Sequence, residues 1–186
     1  VKPTPLTQTP TLVHLNFELL DLVGLGHLSE QNLCGLLSSQ FVVADYQASS
    51  AVYMGHQLGH AVPRLGDGRA LLIAEHEYAG NTWELQLKGA GKTPYSRSGD
   101  GRAVLRSTIR EYLASHALDK LGVPTTLALA MLSSQDEVYR EQVESAAVVL
   151  RVAPSFVRFG SFEYFAKQKK PVELEKLVKF VCRNYF

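Results

Sequence analysis

The sequence predicts an α+β fold, an antiparallel sheet of short strands carrying one long helix, and three features of the pattern predict it. Thr82-Trp83-Glu84-Leu85-Gln86-Leu87-Lys88 alternates with period two and follows a strand-like run, Ala70 to Ala74, across a Gly80-Asn81 turn, so the two read as a hairpin. From about Arg102 to Lys120, Leu105, Ile109, Leu113 and Ala117 recur four apart, the longest helical pattern in the chain. Thr125 to Leu132 and Val143 to Val152 add two more strand candidates.

The remaining elements follow in order. Pro3, Pro5 and Pro10 make the first ten residues an extended arm. Asn16 is placed to cap a short helix through Leu19, Leu20 and Val23 that Gly24 stops, and Ser29 to about Leu37 reads as a second. Gly89 to Gly101 is a glycine-rich loop, and Gly122 and Pro124 end the long helix. Phe156 to Lys167 reads as helical, and after Pro171 the residues Leu174, Leu177, Val178 and Val181 mark an amphipathic helix running to Phe186. Three regions are expected: an arm with packing helices (1–50), a nucleotide-binding lobe (51–167) and the start of a connection to a second lobe (168–186).

Composition narrows the function classes. The 186 residues are 46% hydrophobic and 20% charged, as in a soluble globular domain. Nineteen Lys and Arg against eighteen Asp and Glu leave a net charge of +1, so no bulk field favours nucleic acid or an anionic membrane. No apolar run is long enough to span a bilayer and no targeting segment is visible. Cys34 and Cys182 are too far apart in sequence to suggest a zinc site, and neither implies a disulfide framework.

Several residue patterns carry chemistry. In Gly66-Asp67-Gly68-Arg69, glycines allow backbone N–H groups to approach a phosphate and the arginine adds charged donors, although a plain hairpin turn reads the same way. Lys88 closes the next strand and Glu111 lies inside the long helix. A glycine-rich turn, a strand lysine and a helix glutamate are the parts with which kinases cradle phosphates and fix a lysine; a solvated strand end and an exposed helical acid are the bland readings. Arg97, Arg102, Arg106 and Arg110, with Arg151 and Arg158 downstream, form the focused basic site expected of a near-neutral chain, suited to polyphosphates, although Arg106 and Arg110 would also serve as a solvated face. Gly91-Lys92-Thr93 lacks the earlier glycine of a phosphate-binding P-loop, because Gln86 stands there. His56 and His60 share the spacing of a zinc helix without its glutamate, so no metal is expected there.

Read together, the ordered strings resemble the selenoprotein O family. They are Leu65-Gly66-Asp67-Gly68-Arg69-Ala70, Leu87-Lys88-Gly89-Ala90-Gly91, Thr93-Pro94-Tyr95-Ser96-Arg97 and Gly99-Asp100-Gly101-Arg102-Ala103-Val104-Leu105-Arg106, then Ile109-Arg110-Glu111, Leu121-Gly122-Val123-Pro124-Thr125-Thr126 and Leu150-Arg151-Val152-Ala153-Pro154-Ser155. Tyr53-Met54-Gly55-His56-Gln57 and Val157-Arg158-Phe159-Gly160 extend the likeness, which runs from about Pro5 to Lys167.

The resemblance implies a protein-kinase-like amino-terminal lobe and an enzyme that transfers AMP from ATP to Ser, Thr or Tyr hydroxyls of proteins, with ATP flipped relative to kinases. It implies nucleotide contacts from Gly66, Gly68, Arg69, Lys88, Asp100, Gly101, Arg151 and Arg158, with Glu111 as the ion-pair partner of Lys88. ATP and Mg2+ are the implied cofactors. The catalytic base and the metal ligands are expected beyond Phe186, in a carboxy-terminal lobe missing or truncated here, so no catalytic or metal residue is assigned in this chain. Expected partners are ATP and hydroxyl-bearing proteins, not nucleic acid or membrane, with the apolar stripe of the last helix a candidate association surface. The expected location is cytoplasmic, or mitochondrial in a eukaryote. His116 and Leu127 depart from the family pattern, which has Glu and Arg at those positions. The alternative reading is a catalytically inactive fragment that binds nucleotide or a partner.

Overall fold

A computed structural model describes residues 1–41, 43–44 and 46–186. Its main sheet is antiparallel, in the order β1 (Thr11–Leu15), β7 (Leu127–Tyr139), β8 (Val143–Ala153), β5 (Asn81–Lys88), β4 (Ala70–Tyr78), with the short β6 (Ala103–Val104) also pairing with β8. A separate hairpin joins β2 (Gly55–Gln57) to β3 (His60–Val62). The helices are α1 (Phe17–Leu22), α2 (Glu30–Leu37), α3 (Leu105–Lys120), α4 (Phe159–Lys167) and α5 (Pro171–Tyr185).

Period-two alternation sorts the side chains of the two inner strands. On one face Leu85 and Leu87 of β5 and Val148, Leu150 and Val152 of β8 join Leu19, Leu20, Leu33 and Leu37 of α1 and α2 in the main core. On the other face Val149 packs with Met131, Ala128 and Tyr112 of α3. Lys88 pairs in register with Val149, and Gln86 with Arg151. The alternation that buries the leucines therefore places Gln86, Lys88 and Arg151 on the face that α3 covers.

Local signals explain the helix starts. The Asn16 side chain accepts from the Leu19 N–H at 3.0 Å, and Ser29 Oγ from the Asn32 N–H at 3.2 Å. The long helix begins at Leu105 rather than at Arg102, because Ala103 and Val104 extend as β6 against β8. Its buried residues are Thr108, Tyr112 and Ser115, whereas Leu113, expected on the apolar stripe, is 62% exposed. The inner face is set by what lies beneath it: the Ser115 hydroxyl donates to the Thr126 carbonyl at 2.8 Å and accepts from the Ala128 N–H at 2.9 Å.

Other expectations are corrected. The Thr11–Leu15 strand was not foreseen; it pairs with β7 at the edge of the sheet. His56 and His60 lie on the two strands of a hairpin and not along a helix, His56 paired in register with Ala61 and His60 with Gln57. The glycine-rich turn at Gly66 leads into β4, but the strand before it, β3, belongs to the separate hairpin. In α5, Val178 and Phe180 are 42% and 52% exposed, and no residue of the helix is fully buried. It is tied to the sheet by the Tyr185 hydroxyl, which donates to Glu84 Oε1 at 2.7 Å; the other Glu84 oxygen accepts from the Phe156 N–H at 2.6 Å. Among the described residues no helix is long and apolar enough to cross a membrane.

Candidate active site

Gly66, Gly68, Arg69, Lys88, Asp100, Gly101, Arg151 and Arg158 all line one cleft of about 440 Å³ between the Gly66–Arg69 turn, the Gly89–Gly101 loop and the α3-facing side of β5 and β8. Glu111 does not line it but fixes two residues that do. Lys88 Nζ is ion-paired to Glu111 Oε2, and Arg151 Nη1 donates to Glu111 Oε1 at 3.0 Å. One carboxylate on α3 thus holds a cation from each of two neighbouring strands. Arg151 Nη2 also donates to Gln86 Oε1. Burial lowers the Lys88 ammonium from the usual lysine range, and Glu111 pushes it back up; Arg151 is likewise lowered by burial and supported by Glu111.

The glycine-rich turn is bolted to the following loop. Thr93 Oγ1 donates to the Asp67 carbonyl at 2.6 Å, and Ser96 Oγ to the Gly68 carbonyl at 2.5 Å. In a trans peptide the N–H points opposite to the C=O, so the Gly68 and Arg69 N–H groups are directed away from that loop. The glycines are required sterically. Gly66 has φ +61°, and a Cβ there would lie 2.3 Å from the Tyr95 ring; one on Gly68 would lie 3.0 Å from the Tyr95 carbonyl oxygen.

Two carboxylates lie in the cleft, and both are engaged. Asp100 accepts from Arg140 at 2.8 and 2.9 Å and from the Arg102 N–H at 2.8 Å. The Arg140 hydrogen bonds hold its carboxyl below the usual range. Asp67, buried under the turn, accepts from the Tyr53 hydroxyl at 3.1 Å and lies 3.7 Å from Arg158, whose guanidinium stacks 5.0 Å from the Tyr53 ring centroid. Burial, and then the Asp67 carboxylate, push the Tyr53 phenol up to about 12.

Of the arginines expected along the helix, Arg102 lines the cleft, whereas Arg106 and Arg110 do not. Arg102 precedes α3 and donates to the Thr4 and Pro5 carbonyls of the amino-terminal arm at 2.9 and 2.8 Å. Arg106 pairs with Glu144 at 2.6 Å, and Arg110 is exposed. Positive charge is focused in the cleft by Arg102 together with the strand and loop residues Lys88, Arg69, Arg97, Arg140, Arg151 and Arg158. Sequence reading missed Asp67, Tyr53 and Arg140 as parts of the cleft. Tyr53 and Asp67 stand within quoted motifs, whereas nothing local marks Arg140.

The family described as protein adenylyltransferase SelO matches residues 1–186. A protein nucleotidyltransferase YdiU from Aeromonas hydrophila subsp. hydrophila is 52% identical over 187 residues, covering all of this chain and 39% of the relative. Proteins of the same name from Bordetella petrii and Thiobacillus denitrificans are 50% and 49% identical, with 37% and 38% of their lengths covered. The chain thus spans about two-fifths of the length of the curated relatives it matches. Matched from its first residue to its last, the chain belongs to the SelO family of protein adenylyltransferases.

Proposed function

We propose that this chain is the nucleotide-holding, kinase-like lobe of an adenylyltransferase that moves AMP from ATP to Ser, Thr or Tyr hydroxyls of proteins. The observation that carries the reading is Glu111 bridging Lys88 and Arg151 beneath the glycine-rich turn. The arrangement holds two fixed cations in a cleft whose floor already excludes part of the solvent, as stabilising a polyphosphate requires. Arg151 Nε is buried with no hydrogen-bond partner among the described residues.

In the reaction the acceptor oxygen attacks the α-phosphorus, the bond from that phosphorus to the bridging oxygen breaks, and pyrophosphate leaves. Gly66, Gly68 and Arg69 approach the nucleotide from the turn, Asp100 and Gly101 from the loop, and Lys88, Arg151 and Arg158 take up phosphate charge. Asp67 and Asp100 are engaged by Tyr53, Arg158 and Arg140, so the hydroxyl proton goes to a base outside these residues. Magnesium, which the family resemblance implies, finds no fitting donor set here. No group of three His, Cys, Asp or Glu converges among the described residues, and Arg140 takes both Asp100 oxygens.

The test uses full-length protein carrying this sequence with ATP labelled at the α- or the γ-phosphate. Transfer of the α label to protein, abolished by Lys88→Ala, is the expected result. Transfer of the γ label instead means a kinase, and undiminished transfer by the Lys88 variant refutes the assigned role.

A further inference from the structure

Arg97 sits where the backbone has a reason to be glycine. The Gly99 N–H donates to the Ser96 carbonyl at 2.8 Å, closing a four-residue turn whose first central residue is Arg97, with φ 54°. A positive φ at that position costs an L-residue energy that glycine avoids. The other non-glycine residues with positive φ among the described residues have local explanations. Leu58 and Ala79 precede Gly59 and Gly80 in hairpin turns, and Ser39 and Lys169 each follow a helix end. No such explanation covers Arg97, so its side chain is the feature to account for.

That side chain lines the cleft. Lys88 and Arg151 share Glu111, Arg140 holds Asp100, and Arg158 faces Asp67. Arg97 and Arg69, both exposed, make no ion pair or side-chain hydrogen bond among the described residues. Nor is Arg97 on a loose segment. Its neighbour Ser96 is pinned to the Gly68 carbonyl at 2.5 Å, and the Thr93 N–H donates to Ser96 Oγ at 2.8 Å. The turn carrying Arg69 and the loop carrying Arg97 are thus fastened to each other, which fixes where both guanidiniums enter the cleft.

We propose that Arg97 is a phosphate-binding residue that works with Arg69 to hold the polyphosphate chain of the ligand at the mouth of the cleft. Naming that ligand as ATP rests on the nucleotide reading above; the anion site itself does not. Two guanidiniums on opposed, cross-braced loops offer forked donors to an extended chain of phosphates. The positive φ is the cost of presenting the second fork.

The experiment titrates inorganic tripolyphosphate and, separately, ATP into full-length protein carrying this sequence, as the parent, and into its Arg97→Gly and Arg97→Lys variants by calorimetry, and melts each protein without ligand. Arg97→Gly removes the charge while relieving the backbone, so affinity and stability move apart. Tripolyphosphate affinity should fall roughly tenfold, the value of a charge-assisted hydrogen bond. The melting temperature should stay at or above that of the parent. Arg97→Lys should bind with intermediate affinity. Affinity of Arg97→Gly within twofold of the parent overturns the proposal. A loss of affinity matched by a fall in melting temperature, with the lysine variant as weak as the glycine one, also overturns it, in favour of a structural role. If the parent binds tripolyphosphate through Arg97 but not ATP, the nucleotide reading fails and the anion site stands. A parent that binds neither overturns both.

Discussion

Replacing Glu111 with Gln tests whether one carboxylate holds the cleft together. The variant keeps the shape of the side chain and removes the charge that Lys88 and Arg151 share. Breaking a fully buried pair from one side costs about 3–5 kcal/mol, because a charge is left uncompensated. Here the Lys88 and Glu111 side chains are each 24% exposed and that of Arg151 11%, so water screens part of the loss. We expect about 2–3 kcal/mol, which at about 2–4 °C per kcal/mol for a chain of this size lowers the melting temperature by roughly 5–10 °C. The pH dependence has a definite sign. Burial already lowers the Lys88 pKa in the folded protein, and Glu111 is the main influence raising it; without Glu111 the remaining influences, burial and the neighbouring Arg151 and Arg69, all act downward. The unfolded chain, with lysine near its ordinary value of about 10.4, then binds more protons than the folded one, so the variant gains stability relative to the parent as pH rises toward that value. Melts followed by circular dichroism between about pH 7 and 10 should show a deficit that narrows with pH. Adding Lys88→Met to the variant should recover part of the loss, because a neutral side chain has no ionic desolvation cost. A deficit under about 2 °C, or one that stays constant or widens with pH, refutes the reasoning.

Two further substitutions probe the cleft wall and the last helix. Gly66→Ala places a Cβ 2.3 Å from the Tyr95 ring at a φ of +61°, and should lower stability by about 1–3 kcal/mol, read as a loss in the denaturant midpoint at constant slope. An unchanged midpoint would show that the Thr93–Arg97 segment yields easily and does not brace the turn. Tyr185→Phe removes the donor to buried Glu84 and should cost about 1–2 kcal/mol. Amide exchange should then rise first along α5, and uniform exchange across the chain would mean that Glu84 does not tie this helix to the sheet.

Much of this molecule was legible from local pattern. The period-two run through Trp83, Leu85 and Leu87 sets which face of β5 meets the main core, the side chains of Asn16 and Ser29 start their helices, and the Gly-Asp-Gly-Arg string forms its turn. These signals are local because a pleat, a cap and a tight turn each depend on a few adjacent residues. The same alternation places Lys88 on the face opposite Leu85 and Leu87, so the location of a candidate binding lysine follows from the residues beside it.

What the sequence could not supply depends on contacts across long separations. The edge strand Thr11–Leu15 exists through pairing with β7, and the arm before it is held by Arg102 and Asp136. The apolar stripe of α3 was legible only in its first half, because burial on a helix is set by the surface beneath it: Leu105 and Ile109 pack against the Tyr112 cluster, but β7 and β8 cover Thr108, Tyr112 and Ser115 and leave Leu113 and Ala117 outside. Glu111 was legible as a partner for Lys88, but its second role, holding Arg151, needs the register that sets β5 beside β8. Arg140 lies forty positions from the Asp100 it clamps. The sequence by itself determined where the strands, caps and glycine turns lie, since each is a property of neighbouring residues. Only the tertiary structure decided which charges meet, because a carboxylate chooses among cations by distance in space, and strand register sets those distances.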